Sequence, residues 1–339
     1  MIWLAWRQFR ASAASATAAL VLLAAALALT GPGLAEEYAT ELAACASVEG
    51  GGGCSVPGQR FFRDHRTAFF AVTGLVLAMP ALIGMFWGAP LVAREFEAGT
   101  HALVWSQSVT RTRWLATRLG LVGLAAVTVA GLGSLLVTWW SPPLDTAAST
   151  LSRMEPVLFA ARGVVPVGYA VLALALGVAV GMLVRRLLPA MALTLAVLVA
   201  VQIAVPALVR PSLLPPVRST IEISETNAAG FRVARVGPDR VTVDAGDTGA
   251  WLLSSRTVNA SGRVVGTVDV PTSTGPCGRS PEAGPGECLA EMTRLGYRLQ
   301  VTYHPASRFW PLQWIETGIH TLLALGLAGF CLWRVRRPS

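Results

Sequence analysis

The chain contains no lysine, so its 27 basic residues are all arginine. A phosphate-binding P-loop needs a lysine that reaches the β- and γ-phosphates of a nucleotide. We therefore expect no such loop in this chain and predict no cofactor in it. If ATP and Mg²⁺ serve its function, another polypeptide binds them.

Charge is also scarce. Charged residues make up 14% of the chain and hydrophobic residues 53%. This composition is typical of a polytopic membrane protein and unlike that of a soluble enzyme. The formal net charge of +8 does not indicate a nucleic-acid partner, because the arginines cluster at the ends of apolar runs instead of forming a stripe.

Six apolar stretches are each long enough to cross the ~30 Å hydrocarbon core of a bilayer as a helix. We predict an α-helical polytopic membrane protein with six transmembrane helices and a small β-rich extracellular domain between helices five and six. The predicted parts are an amphipathic N-terminal helix with the first span (1–33), an outer loop (34–66), the second and third spans (67–140), an outer loop with a hairpin of spans four and five (141–210), the β-rich domain (211–307), and the sixth span with a basic tail (308–339).

Arginine placement predicts the orientation, because short basic loops are retained in the cytoplasm. Arginines favour a cytoplasmic position for both termini and for residues 94–114, in a bacterial plasma membrane. Arg60, Arg63 and Arg66 oppose this assignment, but the cytoplasmic side still carries more arginines. The first ten residues fit either an amphipathic helix in the membrane interface or an ordinary basic flank of the first span.

The polar segment 94–114 lies between the second and third spans. It contains Glu95-x-Glu97-x-Gly99-Thr100 and, further on, Ser-Val-Thr-Arg111. This motif in this position resembles the loop after the second helix in permease subunits of type-2 ATP-binding-cassette exporters (the ABC-2 class). The strings RGVVPVGY at 162–169 and RFWPLQWIE at 308–316 are similar to a branch of that family from high-GC bacteria.

The resemblance implies a half-transporter without catalytic groups of its own. Two permeases, identical or paralogous, would pair in the lipid membrane, and a dimer of ABC ATPase subunits would dock beneath them and drive export. The implied docking residues are Arg94, Glu95, Glu97, Gly99, Thr100, Arg111 and Arg113. Without the resemblance, the interpretation of the same residues would be a solvated loop between two helices.

The β-rich domain departs from the short helices that the family often has between spans five and six. It therefore favours a larger substrate, an extracytoplasmic partner or force transmission over a simple lipid or drug flippase. A membrane receptor or scaffold would present the same domain and spans, and it stays an alternative. An intramembrane enzyme would need a third catalytic group beside Glu316 and His320, and the sequence indicates none.

Four polar residues fall within the predicted spans or at their ends. Arg162 lies at the outer end of the fourth span, near enough to the surface to snorkel. Gln202 in the fifth span could line a pathway, but an interhelical hydrogen bond is favoured. Glu316 and His320 share one helical face. They favour a hydrogen-bonded pair over a proton relay, and they are too few for a metal site.

Two cysteine pairs lie in the predicted outer segments, where the environment permits disulfides. Cys45 and Cys54 surround a glycine run, and Cys277 and Cys288 flank a proline- and glycine-rich loop. For each pair we favour a bridge over two free thiols. Cys331 stands alone in the sixth span, where it is expected to pack as a small hydrophobic residue.

Overall fold

A computed structural model describes residues 2–46, 55–99, 110–148, 151–223, 231–235, 240–245, 249–271, 276–278 and 285–336. Six helices in these ranges are long and apolar enough to cross a membrane. This confirms the predicted fold class, and we number the helices spans 1 to 6. The chain divides into two compact units, a membrane unit (Met1–Ala147, Pro156–Leu213 and Trp310–Ser339) and a β domain (Ala148–Glu155 and Leu214–Phe309).

The spans include two π-helical turns. Four spans are single helices: span 1 is Ile2–Ala46, span 3 is Arg111–Trp140, span 4 is Val165–Val184 and span 6 is Phe309–Arg336. Span 2 consists of the helix Ser55–Ile83, a π-helical turn at Gly84–Gly88 and the helix Pro90–Glu97. Span 5 consists of the helix Leu187–Ala204, a π-helical turn at Val205–Val209 and a 3₁₀ turn at Arg210–Ser212. The short helices Pro142–Ala147 and Pro156–Ala160 lie between spans 3 and 4.

The helices extend further than the sequence indicated. Span 1 begins at Ile2 and continues through Pro32 to Ala46, so the N-terminal residues are its first turns and not a separate interfacial helix. The predicted outer loop 34–66 is largely helical, because alanine, leucine and glutamate, which favour helices, continue past Pro32. The proposed bridge between Cys45 and Cys54 lies outside the residues whose side chains are described.

Span 4 is the most buried of the six helices and packs closely against span 2. A Cβ atom added at Gly88 would lie 2.7 Å from the carbonyl oxygen of Leu174, and one added at Gly181 would lie 2.7 Å from that of Ala89. A Cβ atom on Gly177 would overlap the carbonyl oxygen of Gly84. Glycine on both helices therefore lets the backbones approach more closely than any side chain would permit.

We expect Gly177→Ala to destabilise the membrane unit by about 1–3 kcal/mol, as overpacking does in other cores. The measurement is the midpoint of thermal unfolding of the purified chain in detergent. Gly326→Ala is the matched control, because a Cβ placed there meets no atom within 4 Å apart from the neighbouring backbone of its own helix. Equal midpoints for the two variants would contradict the close packing.

The β domain contains two antiparallel sheets in its described residues. The strands are β1 Val217–Glu222, β2 Phe231–Arg235, β3 Arg240–Ala245, β4 Trp251–Val258, β5 Val264–Val265, β6 Val268–Asp269 and β7 Arg298–His304. One sheet has the order β1-β7-β4-β5 and the other β2-β3-β6. The domain is therefore β-rich, as predicted, and lies between spans 5 and 6.

A helix, Pro285–Arg294, completes the core of the β domain. It places Leu289 and Met292 against buried strand residues such as Val241 and Val301. Cys288, at the start of this helix, forms the predicted disulfide with Cys277. Both cysteines lie inside the same core.

Candidate functional site

Polar clusters lie at the two ends of span 4. This helix has 20 residues and is therefore about 30 Å long. The loop-end cluster, beside the end of span 4 at Val184, consists of Glu95, Glu97, Arg118, Arg185 and the backbone of Leu187. The domain-root cluster, beside the start of span 4 at Val165, consists of Tyr169, Arg210, Gln313, Glu316 and His320.

In the loop-end cluster, Glu95 joins span 2 to span 3. A carboxylate oxygen of Glu95 lies 3.1 Å from Nη2 of Arg118. Nη1 of Arg118 donates a hydrogen bond of 3.2 Å to the carbonyl oxygen of Leu91, one turn before Glu95. The guanidinium lies 4.4 Å from the centroid of the Trp114 ring and is almost fully buried. These contacts hold the last helix of span 2 against the first turns of span 3.

Glu97 joins span 2 to span 5. Its carboxylate accepts a hydrogen bond of 2.9 Å from the backbone N–H of Leu187, the first residue of span 5. An anion suits this position, because the first N–H groups of a helix lack intrahelical partners and carry partial positive charge. Arg185 ends span 4 in a left-handed conformation, with φ 57°, and its guanidinium lies 5.5 Å from the Phe96 ring. The turn between spans 4 and 5 is therefore fixed to span 2.

The other residues expected to dock an ATPase vary in exposure. Arg94, Gly99 and Arg113 are exposed, whereas Arg111 is half-buried at the start of span 3. Gly99 has φ +66°, a conformation that favours glycine. Thr100 lies outside the described residues. The two carboxylates expected to meet an ATPase thus have partners within the chain, a feature that sequence reasoning missed.

The domain-root cluster is organised around a buried ion pair between spans 5 and 6. Nε of Arg210 lies 2.7 Å from one carboxylate oxygen of Glu316, and Nη2 lies 3.0 Å from the other. Both side chains are at most 1% exposed. The hydroxyl of Tyr169 in span 4 donates a hydrogen bond of 3.2 Å to the same carboxylate. Arg210 also lies 4.3 Å from the Phe159 ring centroid.

Gln313 fastens the start of span 4 to span 6. Its Oε1 accepts hydrogen bonds of 2.9 Å from the backbone N–H groups of Val164 and Val165. Its Nε2 donates one of 2.9 Å to the carbonyl oxygen of Phe159. Gly163 has φ +64°, and a Cβ atom there would lie 2.8 Å from Oε1 of Gln313. Gln313 therefore satisfies backbone groups where the chain turns into span 4.

Sequence reasoning missed Arg210 and Gln313 as members of this cluster. In the sequence, residue 210 was only the end of the predicted part that holds spans four and five (141–210). The available signal was a single arginine closing a long apolar run, with Glu316 near the start of the next span. A charge at such a depth needs a partner of opposite sign. The Arg210–Glu316 pair could not be predicted, because the two spans can pack side by side in many different alignments.

The predicted hydrogen-bonded pair of Glu316 and His320 does not form. Glu316 uses its carboxylate on Arg210 and Tyr169. The His320 ring instead packs against the Tyr169 ring, with centroids 4.1 Å apart, and neither of its nitrogens has a hydrogen-bond partner among the described residues. The described residues also contain no group of three or more histidine, cysteine, aspartate or glutamate side chains that could hold a metal ion.

The other two polar residues predicted within the spans have partners inside the membrane unit. Arg162 is 1% exposed and lies 3.4 Å from a carboxylate oxygen of Asp145. The snorkelling prediction is therefore wrong, because Asp145 in the short helix after span 3 supplies a buried counter-charge. Nε2 of Gln202 donates a hydrogen bond of 2.8 Å to the carbonyl oxygen of Leu77, which joins span 5 to span 2.

We expect Arg210→Met to lower the free energy of unfolding by about 3–5 kcal/mol, because it leaves the Glu316 carboxylate buried without its cation. Thermal unfolding in detergent measures the effect. The double variant Arg210→Met/Glu316→Leu, which removes both charges, should recover most of the loss. Arg298→Met is the control, since the exposed Arg298–Glu222 pair at 3.9 Å contributes at most about 1 kcal/mol. A double variant as unstable as Arg210→Met would contradict the assignment.

One comparison with known proteins identifies a family of membrane proteins. The model of the family described as ABC-2 membrane transporter related matches residues 17–210, which is more than half of the chain and ends at Arg210 of the domain-root cluster. No curated protein and no solved structure matches the chain. The chain therefore belongs to the ABC-2 membrane transporter related family and is a multi-pass membrane protein of the permease type that serves ABC transporters.

Proposed function

We propose that the chain couples ATP hydrolysis on a separate ABC ATPase to export, or to force transmission across the plasma membrane. In this proposal two permease copies pair, and an ATPase dimer docks on segment 94–114. The observation that carries the proposal is the loop-end cluster. Its contacts connect the predicted docking segment to three spans through an ion pair, a helix cap and a left-handed turn.

The loop-end cluster supplies a route for movement. A displacement of the helix Pro90–Glu97 acts on span 3 through the Glu95–Arg118 pair and on span 5 through the Glu97 cap. It acts on span 4 through the close backbone contacts at Gly88 and Gly181. Such tightly packed elements shift between discrete arrangements instead of deforming continuously. A push on this helix therefore reaches spans 3, 4 and 5.

Arginine placement supports a cytoplasmic position for the loop-end cluster. Exposed arginines occur at this end of the bundle at Arg94, Arg113, Arg185 and Arg186. Short loops rich in arginine stay in the cytoplasm. With six spans, this assignment puts both termini in the cytoplasm and the β domain outside. The Cys277–Cys288 disulfide supports the same assignment, since disulfides persist in oxidising compartments.

The β domain supports a role beyond moving small lipids. In the membrane unit, the Arg210–Glu316 pair joins the end of span 5 to span 6, and the larger segment of this domain, Leu214–Phe309, lies between these two spans in the chain. A joint movement of spans 5 and 6 then acts on the two ends of that segment together. We propose that the domain receives a large substrate or an extracytoplasmic partner and that movement of the bundle acts on it.

Docking and coupling can be separated by experiment. We expect the charge reversals Arg94→Glu and Arg113→Glu together to weaken co-purification of the ATPase about tenfold, because a combined loss of about 1.4 kcal/mol from the two contacts corresponds to a tenfold change in affinity. Glu95→Gln should keep the ATPase bound but reduce its activity in the complex, because its pair with Arg118 is inside the chain. Both readouts use the full complex purified from native membranes.

Arg218→Glu is the matched control, since Arg218 is exposed on β1 of the β domain. It should leave both readouts unchanged. Recovery of the wild-type chain without any ATPase would overturn the proposal. If the Arg94→Glu/Arg113→Glu variant still co-purified with the ATPase as the wild type does, segment 94–114 would not be the docking site.

A further inference from the structure

We propose that Arg63 and Arg66 of span 2 bind the phosphate group of an anionic phospholipid, whose acyl chain lies along Phe70 and Gly74. The site is at the end of span 2 that lies away from the loop-end cluster. It does not rest on the ATPase coupling proposed above and holds for either orientation of the chain. In the orientation proposed there, the lipid belongs to the outer leaflet.

The length of span 2 places these arginines at a membrane surface. Arg66 and Arg94 are 28 positions apart, with no charged residue between them. A helix of that length rises about 42 Å, and a bilayer with its headgroups is about 40–45 Å thick. Arg94 lies beside the loop-end cluster, so Arg66 lies in the headgroup layer of the opposite leaflet. Arg63 is one turn further out, and its long side chain reaches the same layer.

The two arginines share a lipid-facing side of the helix with Phe70. The three residues are spaced by three and then four positions, which puts them on one helical face. All three are exposed, Phe70 by 48%. A Cβ atom added at Gly74, four positions further, would meet no atom within 4 Å apart from the neighbouring backbone of its own helix. At these positions the described part of the chain leaves room for an acyl chain.

Span 1, with its acidic residues, lies on another side of span 2. A carboxylate oxygen of Glu37 in span 1 lies 3.7 Å from Nε2 of His65, and Phe61, one turn before His65, is buried. At about 100° of rotation per residue, Phe61 and His65 are about 100–160° around the helix from Arg63 and Arg66. Neither arginine forms a salt bridge with a described residue. Both charges therefore face the membrane surface.

This combination of groups fits a phospholipid of net negative charge. A guanidinium group donates paired hydrogen bonds that match the oxygens of a phosphate group. The acyl chain below the phosphate group contacts the exposed ring of Phe70. A choline or ethanolamine headgroup would bring a cation beside the two arginines, whereas the glycerol headgroup of phosphatidylglycerol brings none. The geometry therefore favours phosphatidylglycerol over phosphatidylcholine.

Photolabelling of the full chain in lipid nanodiscs tests this site. The probes are phosphatidylglycerol and phosphatidylcholine with the same diazirine near the top of one acyl chain, and labelled residues are mapped by mass spectrometry. We expect phosphatidylglycerol to label residues 67–75 about 30-fold more than phosphatidylcholine. This ratio is equivalent to about 2 kcal/mol, or about 1 kcal/mol for each arginine at an anionic membrane surface.

Two variants test the role of the arginines. In Arg63→Gln/Arg66→Gln, the two lipids should label residues 67–75 equally. Arg60→Gln is the matched control and should keep the preference, because Arg60 lies one turn further from the membrane and shares its face with Asp64, four positions away. All three arginines are exposed, so these changes leave the core intact, and gel filtration monitors folding.

Three results would overturn the proposal. Equal labelling by the two lipids on the wild-type chain would indicate ordinary contact with the bilayer. Loss of the preference when glycerol 3-phosphate is added at constant ionic strength would indicate a soluble phosphate compound as the ligand. Cross-links between two copies of the chain at Phe70 would indicate that this face joins two permeases.

Discussion

The membrane unit depends on compensation of charges that are buried among apolar helices. Arg210 and Glu316 are the clearest case, since both are at most 1% exposed and neither could be buried alone without a cost of several kcal/mol. Their pairing fixes span 6 relative to span 5, and Tyr169 extends the contact to span 4. Arg162 with Asp145 follows the same rule. Polar partners in these spans thus specify which helices are neighbours, a choice that uniform apolar surfaces leave open.

Span 4 connects the two polar clusters. At one end it meets the Tyr169 and Gln313 contacts, and at the other it ends at Arg185 beside Phe96 in the last helix of span 2. Between them, glycines bring its backbone against the π-helical turn of span 2. A π-helical turn is a common feature of functional sites.

Several features followed from the sequence alone. The number of spans, the β-rich character of residues between spans 5 and 6, and the Cys277–Cys288 bridge were all predicted correctly. The ends of the helices were less well predicted. Span 1 passes through Pro32, since helix-favouring residues on both sides outweigh one missing backbone hydrogen bond. Arg162 was expected at the surface, but Asp145, 17 positions away, provides a buried partner.

By itself the sequence determined what depends on local properties: long apolar runs that must enter a bilayer as helices, the alternation that makes strands, and the spacing of two cysteines. Tertiary structure alone decided the partners. Arg210 and Glu316 are 106 residues apart, and Glu97 caps a helix that begins 90 residues later. Such pairings require the packing of helices whose order in space is not encoded by hydropathy. The physical reason is that hydrophobic burial is non-directional, whereas a buried charge or an uncapped N–H group accepts only a partner at one distance and orientation.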